Sequence, residues 1–331
     1  MVTSNEISIV VQGPIVPGVT RDVLQSVRKA LPGGEIILST WQESDVAGLE
    51  YDKMVFSKDP GAVIQDTLGE TSNNINRQIV TSQSGLKQVT RQYVLKLRSD
   101  ILLCSASFLK EFGKWDQVAP PLHVKSRMLV CSYYTRDPRV FPLPFHPSDW
   151  ILFGYTEDVR RYFSTPLEAI EEIQWFRTHS RKRPGFYAAL LSRYVPEQYL
   201  CLHFVEKFEP IEFDYFDHAT EKNIIQTERI LAGDFVVLDY RTQCDILFTK
   251  YNPNKVYQQY SLLSHRAWQQ LFYQYCLGRA KGIGKRRFCC FWKRRILILQ
   301  NIAIKLIHLF RLRKVIKWSL AYIQRKKGYR N

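Results

Sequence analysis

An aspartate that directly follows an apolar stretch is the first candidate for chemistry in this chain of 331 residues. Apolar side chains occupy positions 93, 95 and 97, and the sequence then turns polar at Arg98-Ser99-Asp100. Ligands of open α/β sheets bind at the carboxyl ends of the strands. Asp100 is therefore a candidate ligand for a divalent cation, Mn²⁺ or Mg²⁺. The alternative is that Arg98 and Asp100 form a solvated turn.

A second aspartate, Asp149, is a candidate for proton transfer. It lies in the sequence His146-Pro147-Ser148-Asp149-Trp150, which leads into an apolar stretch typical of a buried strand. A carboxylate there, beside a tryptophan that can stack on a sugar ring, suits an acceptor site to which His146, Ser148 and Trp150 would contribute. We expect Asp149 to take the proton of an attacking hydroxyl. The alternative is that Asp149 caps a turn and Trp150 packs in the core.

The first turn of an amphipathic helix indicates phosphate binding. Ser72 or Asn73 can cap this helix, and its first turn contains Asn76, Arg77 and Gln78. A helix N-terminus offers unpaired N–H groups and the positive end of the helix dipole, and an arginine can bind phosphate through two hydrogen bonds. These three residues are therefore candidates for holding a diphosphate. A solvated polar first turn is the alternative.

The turn after the first predicted strand is a further candidate for ligand binding. Residues 7–15 run apolar into Gly13-Pro14, which is typical of a buried parallel strand that ends in a tight turn. A nucleotide could approach the backbone of that turn closely. Gly13 has no partners in a GxGxxG pattern, so a dinucleotide fingerprint is absent, and an ordinary strand exit is the alternative.

An α/β fold would position these side chains. Strands are predicted at 7–15, 35–40 and 53–57, with a helix from Thr20 to Ala30 between the first two. This alternation indicates βαβ units and a mostly parallel central sheet flanked by helices. Further predicted elements are helices at 156–163, 166–177 and 221–232 and a strand at 235–238.

Five segments occur in an order that resembles the WavE-like lipopolysaccharide-synthesis family. They are residues 7–15, 35–41, 74–79, 95–100 and 146–154, and the similarity covers about the first 240 residues. It implies a glycosyltransferase of the GT-A type, which moves a sugar from a nucleotide-sugar donor to a lipid-linked or lipopolysaccharide acceptor.

The resemblance also implies roles for particular residues. Arg98-Ser99-Asp100 would be the counterpart of the Asp-x-Asp metal motif of such enzymes, but Arg98 replaces the first aspartate, so one metal ligand is missing. The similarity extends to Glu197, which is a second candidate for the catalytic base. The implied donor-binding residues are Gln12, Gly13, Pro14, Thr40, Asn76, Arg77, Gln78, Arg98 and Ser99.

The positive charge of the chain is concentrated at its C-terminal end. The net charge is +16, yet residues 1–245 contain 27 Lys and Arg against 31 Asp and Glu, a balance of −4, and the remainder contains 20 Lys and Arg with no acidic residue. Composition turns aromatic and basic from Lys250. We therefore place a boundary between a catalytic region, 1–249, and a helical appendage, 250–331.

The appendage is predicted to lie on a membrane. Its apolar stretch at 296–310 is interrupted by polar residues and is shorter than the roughly 20 residues that span a bilayer. Together with the surrounding Lys and Arg, it is typical of an amphipathic helix on an anionic surface. A helical cap on the catalytic region is an alternative. Nucleic acid is not an expected partner, because no nucleic-acid-binding module is present and the catalytic region is acidic.

We expect a cytoplasmic protein that is peripheral on the inner face of the cytoplasmic membrane. Its seven cysteines form no CxxC pair, and its N-terminus has no basic region followed by an apolar one. Two other classes stay open. One is a non-catalytic membrane- or polyanion-binding protein on the same fold, and the other is a nucleotidyl- or phosphotransferase, which would need clustered carboxylates for metal ions.

Overall fold

The structure, a computed structural model, describes residues 2–180, 189–250, 256–279 and 282–309. Its strands are β1 (Ile7–Gln12), β2 (Glu35–Trp41), β3 (Lys53–Ser57), β4 (Val63–Ile64), β5 (Ser72–Asn73), β6 (Tyr93–Arg98), β7 (Ile101–Leu103), β8 (Met128–Cys131), β9 (Ile151–Tyr155), β10 (Phe235–Leu238) and β11 (Ile246–Phe248). Its α-helices are α1 (Val19–Ala30), α2 (Ile75–Lys87), α3 (Thr156–Phe163), α4 (Ile170–Ile173), α5 (Pro196–Val205), α6 (Glu221–Asp234), α7 (Val256–Ser261), α8 (His265–Tyr275) and α9 (Ile283–Leu309).

A seven-stranded sheet in the order β10-β8-β9-β6-β1-β2-β3 forms the centre of the fold. The pairs β1–β2, β1–β6, β2–β3 and β8–β10 are parallel, whereas β9 runs antiparallel to β6 and β8. Every residue of β1 is buried, as expected for a strand covered on both faces. The predicted α/β fold, a mostly parallel sheet flanked by helices, is confirmed.

Helix α2 packs closely against the middle of the sheet. Its apolar face buries Ile75, Ile79 and Leu86. A Cβ atom on Gly85 would lie only 2.4 Å from a side-chain carbon of Val10 in β1, so glycine permits this close approach. The position of α2 fixes its first turn at the carboxyl edge of the sheet.

A short antiparallel strand pair brings a distant segment to the end of β6. Strand β7 follows Asp100 and pairs with β11, so that Phe248 lies opposite Ile101. Oγ1 of Thr249 then donates a hydrogen bond to the backbone carbonyl of Asp100 at 3.0 Å. This pairing places Lys250 beside Asp100.

Helix α8 shares the main hydrophobic core. Trp268, Leu271 and Phe272 are fully buried in it, and α8 packs against α6 and β10. Nε1 of Trp268 donates to the backbone carbonyl of Leu231 at 2.8 Å. The packing of the sheet and its helices therefore continues beyond residue 250.

Helix α9 has one buried face and one exposed apolar face. Arg286, Cys290 and Leu297 are buried on one side. The guanidinium of Arg286 donates to Glu228 at 2.5 Å and to both carboxylate oxygens of Asp137 at 3.1 Å. The exposed apolar side chains are Phe288, Phe291, Trp292, Ile296, Leu299 and Ile302. Across the described ranges, no helix has the length and apolar character needed to cross a bilayer. Residues 251–255, 280–281 and 310–331 of the predicted appendage lie outside the described residues.

Candidate active site

A cavity of about 440 Å³ opens at the carboxyl edge of the sheet. The turn after β1, the first turn of α2 and the residues that follow β6 form its walls. The lining residues are Gln12, Gly13, Pro14, Trp41, Asp59, Asn74, Arg77, Gln78, Thr81, Arg98, Ser99, Asp100 and Lys250. The structure thus brings most of the predicted donor-binding residues together with Asp100.

The turn after β1 is held against the end of β6. Gly13 has a φ of +123°, and a Cβ atom there would lie 3.0 Å from Oγ of Ser99. Ser99 donates from Oγ to the carbonyl of Pro14 at 2.7 Å and from its backbone N–H to the carbonyl of Gln12 at 2.9 Å. Oε1 of Gln12 accepts a hydrogen bond from Thr81 at 2.6 Å. Because Gly13 has no side chain, its backbone faces the cavity directly, and a ligand can approach it closely.

A carboxylate orients Arg77 on the first turn of α2. Nε and Nη2 of Arg77 donate to the two oxygens of Asp59 at 2.8 and 2.6 Å, and Nη1 donates to Asn74 at 3.1 Å. Hydrogen bonds from Arg77 hold the pKa of Asp59 below its usual range, although burial opposes them. The pair is therefore charged at neutral pH and places a fixed guanidinium at the cavity.

Asp100 is bound by two cationic side chains. Nε and Nη2 of Arg98 each donate to it at 2.9 Å, and Nζ of Lys250 lies 3.5 Å from Oδ2. Burial raises the pKa of Asp100, but the hydrogen bonds and charge of Arg98, together with Lys250, outweigh burial and keep the pKa below its usual range. Asp100 is thus an ionised carboxylate that orients two cations.

The groups around Asp100 do not suit a divalent cation. Mg²⁺ and Mn²⁺ favour several oxygen ligands in octahedral geometry. Within the described ranges, no three His, Cys, Asp or Glu side chains are grouped so that they could hold a metal ion. The other carboxylate that lines the cavity, Asp59, is paired with Arg77. A metal ion at Asp100 would have to displace the two cations already there.

Asp149 lies directly behind the cavity wall. Its carboxylate accepts a hydrogen bond from the side chain of Gln78, which itself lines the cavity. Its backbone carbonyl accepts a hydrogen bond from Nζ of the fully buried Lys96 at 2.5 Å. Burial lowers the pKa of Lys96 to about 8, although the charge of Asp149 opposes this shift. The side chain of Gln78 therefore separates the carboxylate of Asp149, the predicted base, from the cavity.

Glu197, at the start of α5, belongs to the same buried cluster. Burial and the charge of Asp149 raise the pKa of Glu197 well above its usual range, and the charge of Arg136 offsets this only in part. Oε2 of Glu197 lies 3.5 Å from Nε2 of His146. Burial and Arg136 lower the pKa of His146 to about 3, so the imidazole is neutral at pH 7. The contact is therefore between two neutral groups rather than an ion pair.

Trp150 and Ser148 are buried beneath the cavity. The register of β9 against β6 places Trp150 next to Arg98, whose guanidinium carbon lies 4.6 Å from the centroid of the indole ring. The same ring stacks on Tyr134 with centroids 4.7 Å apart. Oγ of Ser148 accepts a hydrogen bond from the backbone N–H of Trp150 at 3.4 Å. The predicted acceptor residues, including His146, thus lie below the surface, where Trp150 supports Arg98.

Two predicted donor-binding residues lie away from the cavity. Asn76 forms two hydrogen bonds with the backbone of Glu168, at 2.9 Å through Nδ2 and at 2.7 Å through Oδ1. Thr40 is buried, with its Oγ1 3.1 Å from Oγ of Ser44. Both side chains therefore hold neighbouring parts of the chain in place and do not line the cavity.

The sequence alone does not single out several of the lining residues. Asp59 closely follows β3, and the rule that parallel strands end at one edge could have identified it. Lys250 has no such local signal, because only the pairing of β7 with β11 brings it to Asp100. The other lining residues of this kind are Trp41, Asn74 and Thr81.

The chain resembles known proteins to very different degrees. No curated protein matches the sequence. Among solved structures, a 4-diphosphocytidyl-2C-methyl-D-erythritol synthase from Anaerococcus prevotii is similar at 11% identity and a TM-score of 0.32, over 68% of this chain and 97% of that chain. A family model described as WavE lipopolysaccharide synthesis matches residues 7–302, which extend from β1 into α9. The chain therefore belongs to the WavE lipopolysaccharide synthesis family.

Proposed function

We propose that the protein is a GT-A-type glycosyltransferase that moves a sugar from a nucleotide-sugar donor to a lipopolysaccharide or lipid-linked acceptor. Its family supports a role in lipopolysaccharide synthesis. The observation that carries the proposal is the cavity at the carboxyl ends of parallel strands, where Arg77 and Arg98 face the same space as the first turn of α2.

The cavity suits the diphosphate of such a donor. The N-terminus of α2, a helix of 13 residues, attracts phosphate through the positive end of its dipole. The guanidinium groups of Arg77 and Arg98 can each form paired hydrogen bonds to phosphate oxygens. Trp41, also in the lining, offers an aromatic face on which a base or sugar ring can stack.

Asp149 is our candidate for the catalytic base. In an inverting transfer, the acceptor oxygen bonds to the sugar carbon while the bond from that carbon to the diphosphate oxygen breaks, and the electron pair leaves with the diphosphate. The hydroxyl proton needs an acceptor. Burial raises the pKa of Glu197 to about 8, so at pH 7 most of Glu197 already carries a proton, whereas the carboxylate of Asp149 is separated from the cavity only by the side chain of Gln78. Rotation of the Gln78 side chain would open Asp149 to the acceptor.

Thermal unfolding with a panel of nucleotide sugars tests this function. A ligand that binds only the folded state stabilises it by about 2.7 kcal/mol at a concentration of 100 Kd, so the matching nucleotide sugar should raise Tm. The variant Arg77→Met should lose most of this shift. The variant Lys114→Met should keep it, because Lys114 is an exposed lysine outside the cavity that pairs with Glu111. A wild-type protein that no nucleotide sugar stabilises would contradict the proposal and favour a non-catalytic binding protein.

Other reaction classes find less support in this cavity. Metal-dependent nucleotidyl or phosphoryl transfer uses clustered carboxylates. The two carboxylates in the described lining, Asp59 and Asp100, are each bound by an arginine. These pairings favour an anion as the ligand of the cavity.

We also propose that α9 holds the protein on the inner, anionic face of the cytoplasmic membrane. Phe288, Trp292 and Leu299 are 63%, 52% and 65% exposed and lie opposite the buried Arg286. Such a face can enter the boundary between headgroups and acyl chains. Basic residues near an anionic surface add roughly 1 kcal/mol each. Those on the exposed part of α9 include Lys285, Arg287, Arg294 and Arg295.

A further inference from the structure

The cavity contains three cationic side chains, each in contact with a carboxylate. Arg98 and Lys250 lie at Asp100, and Arg77 lies at Asp59. The three cations come from separate parts of the chain and meet only through the fold. Their charges exceed those of the two carboxylates by one, which leaves the cavity suited to an anion.

We propose that Arg77, Arg98 and Lys250 neutralise the donor diphosphate in place of a divalent cation, with Lys250 as a phosphate ligand. The inference rests on the proposed function, since it concerns the same cavity and the same donor. It adds a ligand from the segment after β11 and a binding mode that needs no metal.

The surroundings of Asp100 are the first support for this inference. Both oxygens of Asp100 accept hydrogen bonds from Arg98 at 2.9 Å, in the geometry of a paired arginine and carboxylate. A divalent ion there would have to break this pair and then remain beside two positive side chains. A diphosphate, in contrast, is negatively charged and is attracted by each of these cations.

The position of Lys250 is the second support. Its Nζ lies 3.5 Å from Asp100, which is longer than the usual range for a strong hydrogen bond, and its side chain is 47% exposed. An ammonium group carries three donors on a flexible stem, so it can bind phosphate oxygens and stay near Asp100. Thr249 fixes the backbone next to it through its hydrogen bond to the carbonyl of Asp100.

Asp100 becomes a positioning residue in this account. Its carboxylate holds Arg98 and Lys250 toward the cavity, and the arriving diphosphate then shares these cations. Trp150 supports Arg98 from below, with the guanidinium carbon 4.6 Å from the ring centroid. Replacing Asp100 by asparagine should therefore change how the cations are oriented without removing the charges that bind the ligand.

Isothermal titration of the full chain with inorganic pyrophosphate and a panel of nucleoside diphosphates tests the inference. Each titration is run in EDTA and again in Mn²⁺. We expect binding in EDTA, with little gain from Mn²⁺. Arg98→Met and Lys250→Met should each weaken binding about 10–100-fold, the effect of losing a hydrogen bond to a charged group. Lys114→Met is the matched control, because Lys114 is also a partly exposed lysine beside a carboxylate.

The outcomes separate this inference from the proposed function. Binding that requires Mn²⁺ and is lost in Asp100→Asn would overturn the metal-free site while leaving the glycosyltransferase proposal intact. Wild-type affinity in Lys250→Met would overturn the role of Lys250. If the wild-type protein binds no nucleoside diphosphate under either condition, both proposals are wrong. Titration of the wild-type protein alone decides the metal question, whether or not Asp100→Asn folds.

Discussion

The guanidinium carbon of Arg98 lies 4.6 Å from the ring centroid of Trp150, and the two residues are adjacent because β9 runs antiparallel beside β6. Trp150 is itself fixed by stacking on Tyr134, with 21° between the ring planes. Arg98 is therefore held from below by an aromatic ring and from the side by Asp100. The arginine reaches the cavity in a fixed orientation, which reduces the entropy lost when it binds phosphate.

This relationship predicts that Trp150 acts on donor binding rather than acceptor binding. In Trp150→Leu the cation–π contact is lost, which should raise the Kd for the donor nucleotide about threefold to thirtyfold. Trp150→Phe retains an aromatic face and should show a smaller rise. Titration calorimetry measures the donor Kd of both variants. Circular dichroism must first show that each variant folds like the wild type. An unchanged donor Kd with a raised KM for the acceptor would instead assign Trp150 to the acceptor site.

Glu168 predicts a defined pH dependence of stability. Burial raises the pKa of Glu168 to about 8, against an opposing hydrogen bond from Asn73. The folded state therefore holds a proton that the unfolded state loses above the ordinary glutamate pKa of 4.5. The stabilising effect is complete below that value and is lost as pH rises toward 8. In this window the group should lower the free energy of unfolding by about 1.4 kcal/mol per pH unit.

Urea unfolding at several pH values between 5 and 8 checks this expectation. Glu168→Gln keeps a neutral side chain of similar shape, so its free energy of unfolding should depend less steeply on pH than that of the wild type. The control Glu171→Gln changes an exposed neighbour and should keep the wild-type slope. Equal slopes for all three proteins would show that Glu168 is ionised in the folded state.

The exposed face of α9 predicts membrane binding that point substitutions can remove. Changing Phe288, Trp292 and Leu299 together to serine should lower the partition coefficient for anionic vesicles, measured by co-sedimentation, about 100-fold. The reason is that each substitution removes apolar surface that would enter the lipid. Binding by the wild type should also weaken as salt rises, since the screening length is only about 8 Å at physiological ionic strength.

Substitution is a better test than truncation for this helix. Deleting α9 would take Arg286 away from the buried Asp137, while Glu228 would keep its pair with Arg139, and breaking a buried ion pair costs about 3–5 kcal/mol. The matched control changes three exposed apolar residues elsewhere, Val118, Leu167 and Ile170, to serine. Equal loss in both triple variants, or equal binding of the wild type to neutral and anionic vesicles, would contradict the membrane proposal.

Local patterns predict much of the fold because several elements have a clear pattern of apolar residues. The predicted bounds 53–57, 156–163 and 235–238 agree with β3, α3 and β10. The predicted helix at 166–177 is wrong in extent, since α4 covers only Ile170–Ile173. There the carbonyl of Glu172 accepts from Arg193, and the N–H of Phe176 donates to Leu191. Contacts with a distant segment thus replace the hydrogen bonds that would have continued the helix.

The site follows the same rule. Residues at strand ends, such as Gly13 and Arg98, could be predicted because parallel strands end at one edge of the sheet. The direction in which a side chain at such a strand end points could not be predicted. Trp150 was expected to face a sugar, but the antiparallel direction of β9 places it under Arg98. Lys250 depends on a strand pair that no local pattern encodes.

The rate of sugar transfer in Asp149→Asn tests the central claim most directly. The assay combines the nucleotide sugar that stabilises the wild type with isolated lipopolysaccharide or its lipid-linked precursor, and the donor Kd is measured in parallel. The account predicts transfer by the wild type and a rate about 10²–10⁴-fold lower in Asp149→Asn at unchanged donor Kd, because only proton acceptance is removed. Glu197→Gln should stay close to the wild-type rate, since burial raises the pKa of Glu197 to about 8 and most of it is protonated at pH 7. Wild-type turnover in Asp149→Asn, or a loss confined to Glu197→Gln, would contradict it.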